Sequence, residues 1–256
     1  MGSTPVGLHV YGTAAAHGKR VQCLTQAKNH ALVLNDAPVT RTAAGIINSA
    51  FGCAGERCMA LPVVVAQEKI ADALAAKLTE LAKELKIGPA YDKTSGLGPV
   101  VDSGHRKKIE AYIESGIKDG AKLILDGRNV KVPGYEDGFY LGPTIFDYVK
   151  PGMKIGEEEI FGPVIAAMPY DDIDEVIKRA NESDYGLAAG LWTRDISNAH
   201  YVASKLRAGT VWVNCYNAFD AASPFGGYKQ SGMGREMGSY ALNNYTEVKS
   251  VWINLS

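Results

Sequence analysis

The chain has 256 residues, 46% of them apolar and 21% charged, and its formal net charge is -1. This composition excludes a fibrous or largely disordered protein, and the near-neutral charge gives no reason to expect a nucleic-acid partner. No apolar run reaches the ~20 residues of a membrane-spanning helix, so we expect no membrane partner and a cytoplasmic location. The four cysteines lack zinc-ligand spacing and no signal peptide is evident, so we predict no metal site and no disulfides.

The first residues, MGSTPVG, have the pattern of a phosphate-binding turn that leads into a helix. A Rossmann fingerprint requires a strand, a glycine turn and a helix N-terminus in that order. Here no strand precedes the turn, so the chain is predicted to begin in the middle of a fold. Taken alone, the pattern is weak and would be an ordinary helix cap in most proteins.

Farther along, short β-branched runs alternate with amphipathic helices, which predicts an α/β fold. Strands are expected at 31–34, 62–66, 122–127, 163–170, 187–193 and 210–214. Helices are expected around 70–85, 109–117, 172–181 and 196–206, with Asp171 or Asp172 capping the third. The terminal run 245–255 alternates and predicts one more strand, which would pair outside its own domain.

The segment AFGCAGERCMAL, residues 50–61, places Cys58 directly after Arg57 in a glycine-broken loop. A nucleophilic cysteine needs access and a nearby cation or dipole that favours its thiolate, and this loop offers both. The alternative is a buried structural cysteine, which we expect Cys53 to be. Arg57 can favour the Cys58 thiolate, bind a substrate carboxylate through its guanidinium fork, or form a surface ion pair.

Four motifs stand in the order found in the aldehyde dehydrogenase superfamily: GSTPVG, the Cys58 loop, EEEIFGPV at 157–164 and PFGGYKQSGMGRE at 224–236. The chain resembles the second half of these proteins. Up to about residue 165 it resembles methylmalonate-semialdehyde dehydrogenase, through QAKNHALVL and FGCAGERCMAL. Beyond that point, PFGGYKQSGMGRE and YTEVKSVWINL look more like the general, hydrolytic aldehyde dehydrogenases.

The resemblance implies a three-layer α/β catalytic domain with a remnant of a Rossmann-like cofactor domain. Residues 1–30 would be the tail of the NAD-binding domain and residues 31–240 the catalytic domain. Residues 241–256 would form a C-terminal strand for oligomerisation, so a homo-oligomer is expected.

The resemblance also implies roles for individual residues. Cys58 would attack the aldehyde carbon, and the thiohemiacetal would lose hydride to NAD and become a thioester. Backbone N–H groups around Met59 would hold the oxyanion, and Arg57 would bind the carboxylate of a semialdehyde. Six residues would contact NAD, through its pyrophosphate, ribose or nicotinamide: Gly2, Ser3, Gly7, Thr25, Glu159 and Phe161. From the residues alone, Glu157 and Glu158 are better explained as a solvated acidic run.

One position departs from the hydrolytic pattern. Hydrolytic members carry a glutamate 34 positions before the nucleophile, which activates water against the thioester, and counting back from Cys58 gives Leu24. Because leucine cannot accept a proton, coenzyme A is the expected acyl acceptor and water the second choice. The alternative hypothesis is a truncated catalytic domain, folded but inactive without its N-terminal half.

Overall fold

The computed structural model describes residues 1–256, and its centre is a seven-stranded sheet. The eleven strands are Cys23–Leu24 (β1), His30–Val33 (β2), Val63–Gln67 (β3), Lys122–Leu125 (β4), Thr144–Asp147 (β5), Val164–Tyr170 (β6), Tyr185–Gly186 (β7), Ala188–Trp192 (β8), Thr210–Val213 (β9), Tyr228–Lys229 (β10) and Gly232–Met233 (β11). The large sheet has the order β4-β5-β6-β3-β2-β8-β9, and only the β4–β5 pair is antiparallel.

Helices cover both faces of this sheet. The eight α-helices of the chain are Thr4–Ala16 (α1), Val39–Phe51 (α2), Glu68–Lys83 (α3), Ser103–Lys118 (α4), Lys154–Glu157 (α5), Ile173–Glu182 (α6), Ile196–Lys205 (α7) and Leu242–Tyr245 (α8). Along β2, Ala31 and Val33 face α2, α3 and α4, whereas Leu32 faces α6 and α7. Because successive strand residues point to opposite faces, the sheet buries both sides, and the predicted three-layer α/β fold is confirmed.

Two short antiparallel strand pairs lie outside the large sheet and join distant parts of the chain. The pair β1–β11 aligns Leu24 with Gly232, and the pair β7–β10 aligns Gly186 with Tyr228. Gly232 has a φ of 115°, a conformation open to glycine and costly for other residues. The glycine-rich motif near the C-terminus therefore acts in turns and strand pairing.

The six predicted sheet strands and four predicted helices are present, and Asp172 caps α6 by accepting from the N–H of Glu175 at 2.8 Å. The longer elements that were not predicted are α2 and β5, and the short elements β1, β7, β10, β11, α5 and α8 were not predicted either. Ala50 and Phe51, assigned to the cysteine loop from the sequence, are the last residues of α2. The loop therefore starts at a helix end.

The expected C-terminal strand is not formed within this chain. Tyr245 ends α8, and residues 246–256 form no helix or strand and are exposed throughout. A strand is stabilised by backbone hydrogen bonds to a neighbour, and residues 246–256 make none, although the Arg20 side chain contacts Thr246 and Glu247. Pairing with a second copy and the three domain boundaries stay predictions. No helix has the length and apolar character needed to cross a membrane.

Candidate active site

A cavity of about 930 Å³ opens beside the cysteine loop and collects most of the predicted site residues. Seven of them line it: Gly2, Ser3, Thr25, Arg57, Cys58, Glu159 and Phe161. The rest of the wall is partly apolar, through Leu24, Met59, Leu187, Phe219 and Phe225, and partly charged, through Glu56, His105 and Lys108. Residues more than 150 positions apart in the chain thus meet at one concave surface, the usual form of a small-molecule site.

The cysteine loop leaves the end of α2 through a tight turn, Gly52–Gly55. Cys53 and Ala54 in this turn have positive φ angles of 51° and 54°, a conformation in which side chains of L-residues are strained. The buried Asn29 holds the far end of the loop. Its Nδ2 donates to the carbonyl of Cys58 at 2.9 Å and to that of Ala60 at 2.8 Å. Cys58 is therefore carried by a loop fixed at both ends.

Cys58 is half-buried and packs against the apolar cluster that contains Leu24 and Met59. Burial raises the pKa of the Cys58 thiol, and the negative charge of Glu159 raises it further. The backbone N–H groups of Cys58 and Met59 hydrogen-bond the sulfur and oppose the shift in pKa. These N–H groups have no backbone acceptor, so they are also available to an oxyanion formed on a bound substrate.

The side chain of Arg57 is hydrogen-bonded to Cys53 and not to Cys58. Its Nε donates to Cys53 Sγ at 3.2 Å, and its guanidinium group lies over Gly52. This corrects one sequence interpretation, because Cys53 is exposed and not packed. Arg57 is partly buried, lines the cavity and forms no salt bridge with any carboxylate of the chain. Its remaining N–H donors are free for an anionic ligand.

Glu159 is the one member of its acidic run that is directed into the cavity. Its Oε1 accepts from the N–H of Ala27 at 3.0 Å, whereas Glu157 and Glu158 are exposed. Burial raises the pKa of Glu159, and hydrogen bonds from Ala27 and the Gln26 side chain lower it in part. A half-buried carboxylate with a fixed orientation is suited to accept hydrogen bonds from ligand hydroxyls.

Phe161, two residues on, has a φ of 57°, which costs an aromatic residue about 1–3 kcal/mol. Its ring is 37% exposed and forms part of the cavity wall. Elsewhere in the cavity wall, Ser3 precedes α1 but makes no side-chain cap, and the N–H of Thr4 donates to Gln26 Oε1 at 3.1 Å. The strained ring and the N-terminus of α1 therefore face a shared space.

The profile of the Aldehyde dehydrogenase family matches residues 1–251 of the chain. The chain belongs to this family. Among curated proteins, it is 47% identical over 254 residues to DhaS, a provisionally named aldehyde dehydrogenase of Bacillus subtilis. It is 37% identical over 254 residues to a betaine aldehyde dehydrogenase of Brucella anthropi. These alignments cover 99% of the chain but 50% and 52% of the two relatives, so the chain spans about half the length of the curated relatives it matches.

Solved structures give the same fold. An NAD+ complex of an aldehyde dehydrogenase from Bacillus cereus is 42% identical, with a TM-score of 0.94 over 99% of this chain and 51% of that one. A provisionally named methylmalonate-semialdehyde dehydrogenase of Sinorhizobium meliloti, complexed with NAD, is 39% identical, also with a TM-score of 0.94, over 99% of this chain and 53% of that one. The neighbours thus include a methylmalonate-semialdehyde dehydrogenase together with other aldehyde dehydrogenases.

Gly7 is the one predicted aldehyde dehydrogenase site residue that does not line the cavity. It is buried on α1, and a Cβ at this position would collide with the Thr25 methyl group. Thr25 Oγ1 in turn donates to the carbonyl of Gln230, and the Thr25 N–H donates to Ser231 O at 3.0 Å. Gly7 therefore allows close packing of α1 on the Thr25 segment, and its predicted contact with NAD stays a prediction.

Four residues of the site were not found by sequence reasoning: Gln26, Asn29, His105 and Ser231. Ser231 is fully buried, donates to Gln26 O at 2.7 Å and accepts from the N–H of Gly186 at 3.1 Å. Ser231 belongs to the motif PFGGYKQSGMGRE, but its hydrogen-bond partners lie 45 and 205 positions away in the chain. Only the folded chain reveals such pairings.

Lys28 is a buried lysine close to the candidate active site. Its Nζ donates to the carbonyls of Ile155 at 2.9 Å and Glu158 at 2.6 Å, which fixes the segment before Glu159. Burial lowers the pKa of Lys28 from 10.5 to about 7, and the carboxylates of Glu159 and Glu158 oppose the shift. The lysine is thus held in an environment that disfavours its charge.

Stability should therefore rise with pH between about 7 and 10.5, because the unfolded chain then binds the Lys28 proton that the folded chain has released. The slope approaches about 1.4 kcal/mol per pH unit. Urea unfolding of the wild type and of Lys28→Met at pH 6, 7, 8 and 9 measures it. We expect the wild-type free energy of unfolding to rise relative to the variant above pH 7, and parallel pH profiles would show that Lys28 is not the group responsible.

Proposed function

We propose that the chain is the catalytic part of an NAD-dependent aldehyde dehydrogenase that oxidises a semialdehyde through a thioester on Cys58 and passes the acyl group to coenzyme A. The observation that carries the proposal is the cavity in which Cys58, Arg57, Glu159 and Phe161 meet. Family membership supports aldehyde oxidation, and the finer choice of substrate and acceptor follows from Arg57 and Leu24.

In the proposed reaction, the Cys58 thiolate adds to the aldehyde carbon and forms a thiohemiacetal. The N–H groups of Cys58 and Met59, already directed at the sulfur, would stabilise the oxygen that becomes negative. Loss of hydride from the same carbon leaves a thioester on Cys58. The thiol of coenzyme A then attacks the acyl carbon, and the products are acyl-coenzyme A and free Cys58.

The residues that face the cavity fit the nicotinamide end of NAD. Glu159 would accept hydrogen bonds from ribose hydroxyls, Phe161 would border the ring, and Ser3 at the start of α1 would lie near the pyrophosphate. NAD supplies the hydride acceptor when it is bound. Two similar proteins, from Bacillus cereus and Sinorhizobium meliloti, have been solved with NAD, which supports the same cofactor here.

The choice of coenzyme A depends on Leu24. Its side chain is 4% exposed, belongs to the apolar cluster against which Cys58 packs, and lines the cavity. A carboxylate at this position would be the base that activates water, and leucine has none. A thiol attacks a thioester without that base. The acyl group is therefore expected to stay on Cys58 until it is transferred to coenzyme A.

The carboxylate of the substrate would bind Arg57. Arg57→Gln should raise KM for a malonate-type semialdehyde about 10-fold to 100-fold, because a charge-assisted hydrogen bond contributes about 1.5–3 kcal/mol. KM for a neutral aldehyde of equal length should change little. Lys108→Gln, which removes the other cation of the cavity wall, is the matched control. An equal rise in KM for the semialdehyde in both variants would show that the carboxylate responds to the overall positive charge of the cavity and not to a specific bond with Arg57.

The direct test of the proposed function is NADH formation from NAD and a panel of aldehydes, with and without coenzyme A. Cys58→Ala is the blank. Turnover that requires both coenzyme A and Cys58 supports the proposal. Turnover without coenzyme A would identify water as the acceptor. No turnover from a folded chain would contradict the proposal that this chain is catalytically active.

A further inference from the structure

Phe161 reaches the cavity from a short connection that has its own supports. The residue lies directly before Gly162, and a Cβ at Gly162 would meet Ile109 of α4 at 2.6 Å, so α4 packs closely on this backbone. The Phe161 ring meets the His105 ring edge to face, with centroids 6.1 Å apart and planes at 64°. The N-terminal half of α4 thus supports both the backbone and the ring of Phe161.

His105 also makes a direct hydrogen bond to the strained residue. Its Nε2 lies 2.6 Å from the carbonyl oxygen of Phe161. A carbonyl oxygen only accepts, so Nε2 carries the hydrogen and donates it. This bond fixes the peptide that follows Phe161, and with it the backbone conformation that directs the ring into the cavity.

The same nitrogen faces the cysteine loop. Nε2 lies 3.3 Å from Glu56 Oε1, and that oxygen also accepts from the N–H of Val101 at 3.1 Å. Glu56 precedes Cys58 by two positions. The His105 and Glu56 side chains are only 15% and 16% exposed, so the contact is held within the protein and is not a loose surface pair. One ring nitrogen therefore stands between the nucleophile loop and Phe161.

We infer that His105 is a positioning residue: its Nε2–H, oriented by Glu56, holds Phe161 in its strained conformation and sets the distance between the cofactor side of the cavity and the Cys58 loop. The meaning of this contact for catalysis rests on the proposed function, whereas the contact itself can be tested without NAD or substrate. The N–H of the His105 backbone donates to Asp102, the cap of α4, at 2.7 Å. Side-chain variants leave that cap in place.

The test compares His105→Gln with His105→Asn. The Gln amide nitrogen can reach the position of His Nε2, whereas the shorter Asn amide cannot, so the pair separates the Nε2–H bond from general effects at this site. The chain is labelled with fluorophenylalanine, which gives six ¹⁹F signals from its six Phe residues. Loss of one signal in Phe161→Leu assigns the resonance of Phe161.

Every His105 variant loses the imidazole ring beside Phe161, so some displacement of the Phe161 signal is expected in all of them. We expect the signal to stay a single sharp resonance in His105→Gln, whereas in His105→Asn and His105→Ala it should broaden or split, while the other five signals stay in place. A Phe161 signal that stays sharp in His105→Ala, or that broadens equally in the Gln and Asn variants, would overturn the inference. Because no ligand is present, this result is independent of whether the chain oxidises aldehydes.

Discussion

Replacing Asn29 with leucine is expected to lower the free energy of unfolding by about 3–5 kcal/mol. Asn29 is 2% exposed and makes three hydrogen bonds, to the carbonyls of Cys58 and Ala60 and from the N–H of Ala188. Leucine keeps the volume but leaves three buried backbone groups without partners. Each such group costs about 1–3 kcal/mol, so the loss far exceeds that of an ordinary substitution.

Urea unfolding followed by circular dichroism measures this loss. Asn243→Leu is the control, because Asn243 is exposed on α8 and its side chain makes no hydrogen bond. We expect it to change stability by no more than about 0.5 kcal/mol. Equal effects of the two substitutions would show that the Cys58 loop does not depend on Asn29.

Introducing glutamate at position 24 is expected to accelerate hydrolysis of the Cys58 thioester by about 10²-fold or more, the usual contribution of a positioned general base. Leu24 lines the cavity and belongs to the cluster that contacts Cys58, so a carboxylate there lies within reach of water at the acyl carbon. Burial will raise the pKa of the introduced carboxyl group, so the measurement belongs at pH 8 or above.

A p-nitrophenyl ester is a suitable substrate, because it acylates a thiolate without NAD. In the wild type and in Leu24→Gln, we expect one rapid release of p-nitrophenolate and slow turnover. Leu24→Glu should show sustained turnover. The Gln variant has the same size without the base, so similar deacylation rates for Leu24→Glu and Leu24→Gln would contradict the assigned role of this position.

Much of the fold could be predicted from local pattern, because strand and helix periods are properties of neighbouring residues. The apolar stripe from Ile70 to Leu85 predicted α3, and the run 163–170 predicted β6. Helix α2 was missed although Ala43, Ile46 and Ala50 have helical spacing. It begins with β-branched residues, and Pro38 before it offers no side-chain cap, so its start carries no local signal.

Only those site residues that belong to a recognisable sequence motif could be predicted. Cys58, Glu159 and Phe161 were found and lie in one cavity. The direction of a side chain is set by tertiary contacts, which is why the exposure of Cys53 and its bond from Arg57 could not be foreseen. Asn29 stands just before the predicted strand 31–34, and its contact with Ala188 spans 159 positions.

The central claim, that Cys58 becomes acylated during aldehyde oxidation, is tested most directly by peptide mass spectrometry of the reacted protein. The protein is mixed with NAD and a malonate-type semialdehyde in the absence of coenzyme A, quenched with acid and digested. We expect an acyl adduct on the peptide that carries Cys58, dependent on NAD and absent from Cys58→Ala. An unmodified Cys58 peptide from folded protein, or an adduct on another cysteine, would contradict the claim.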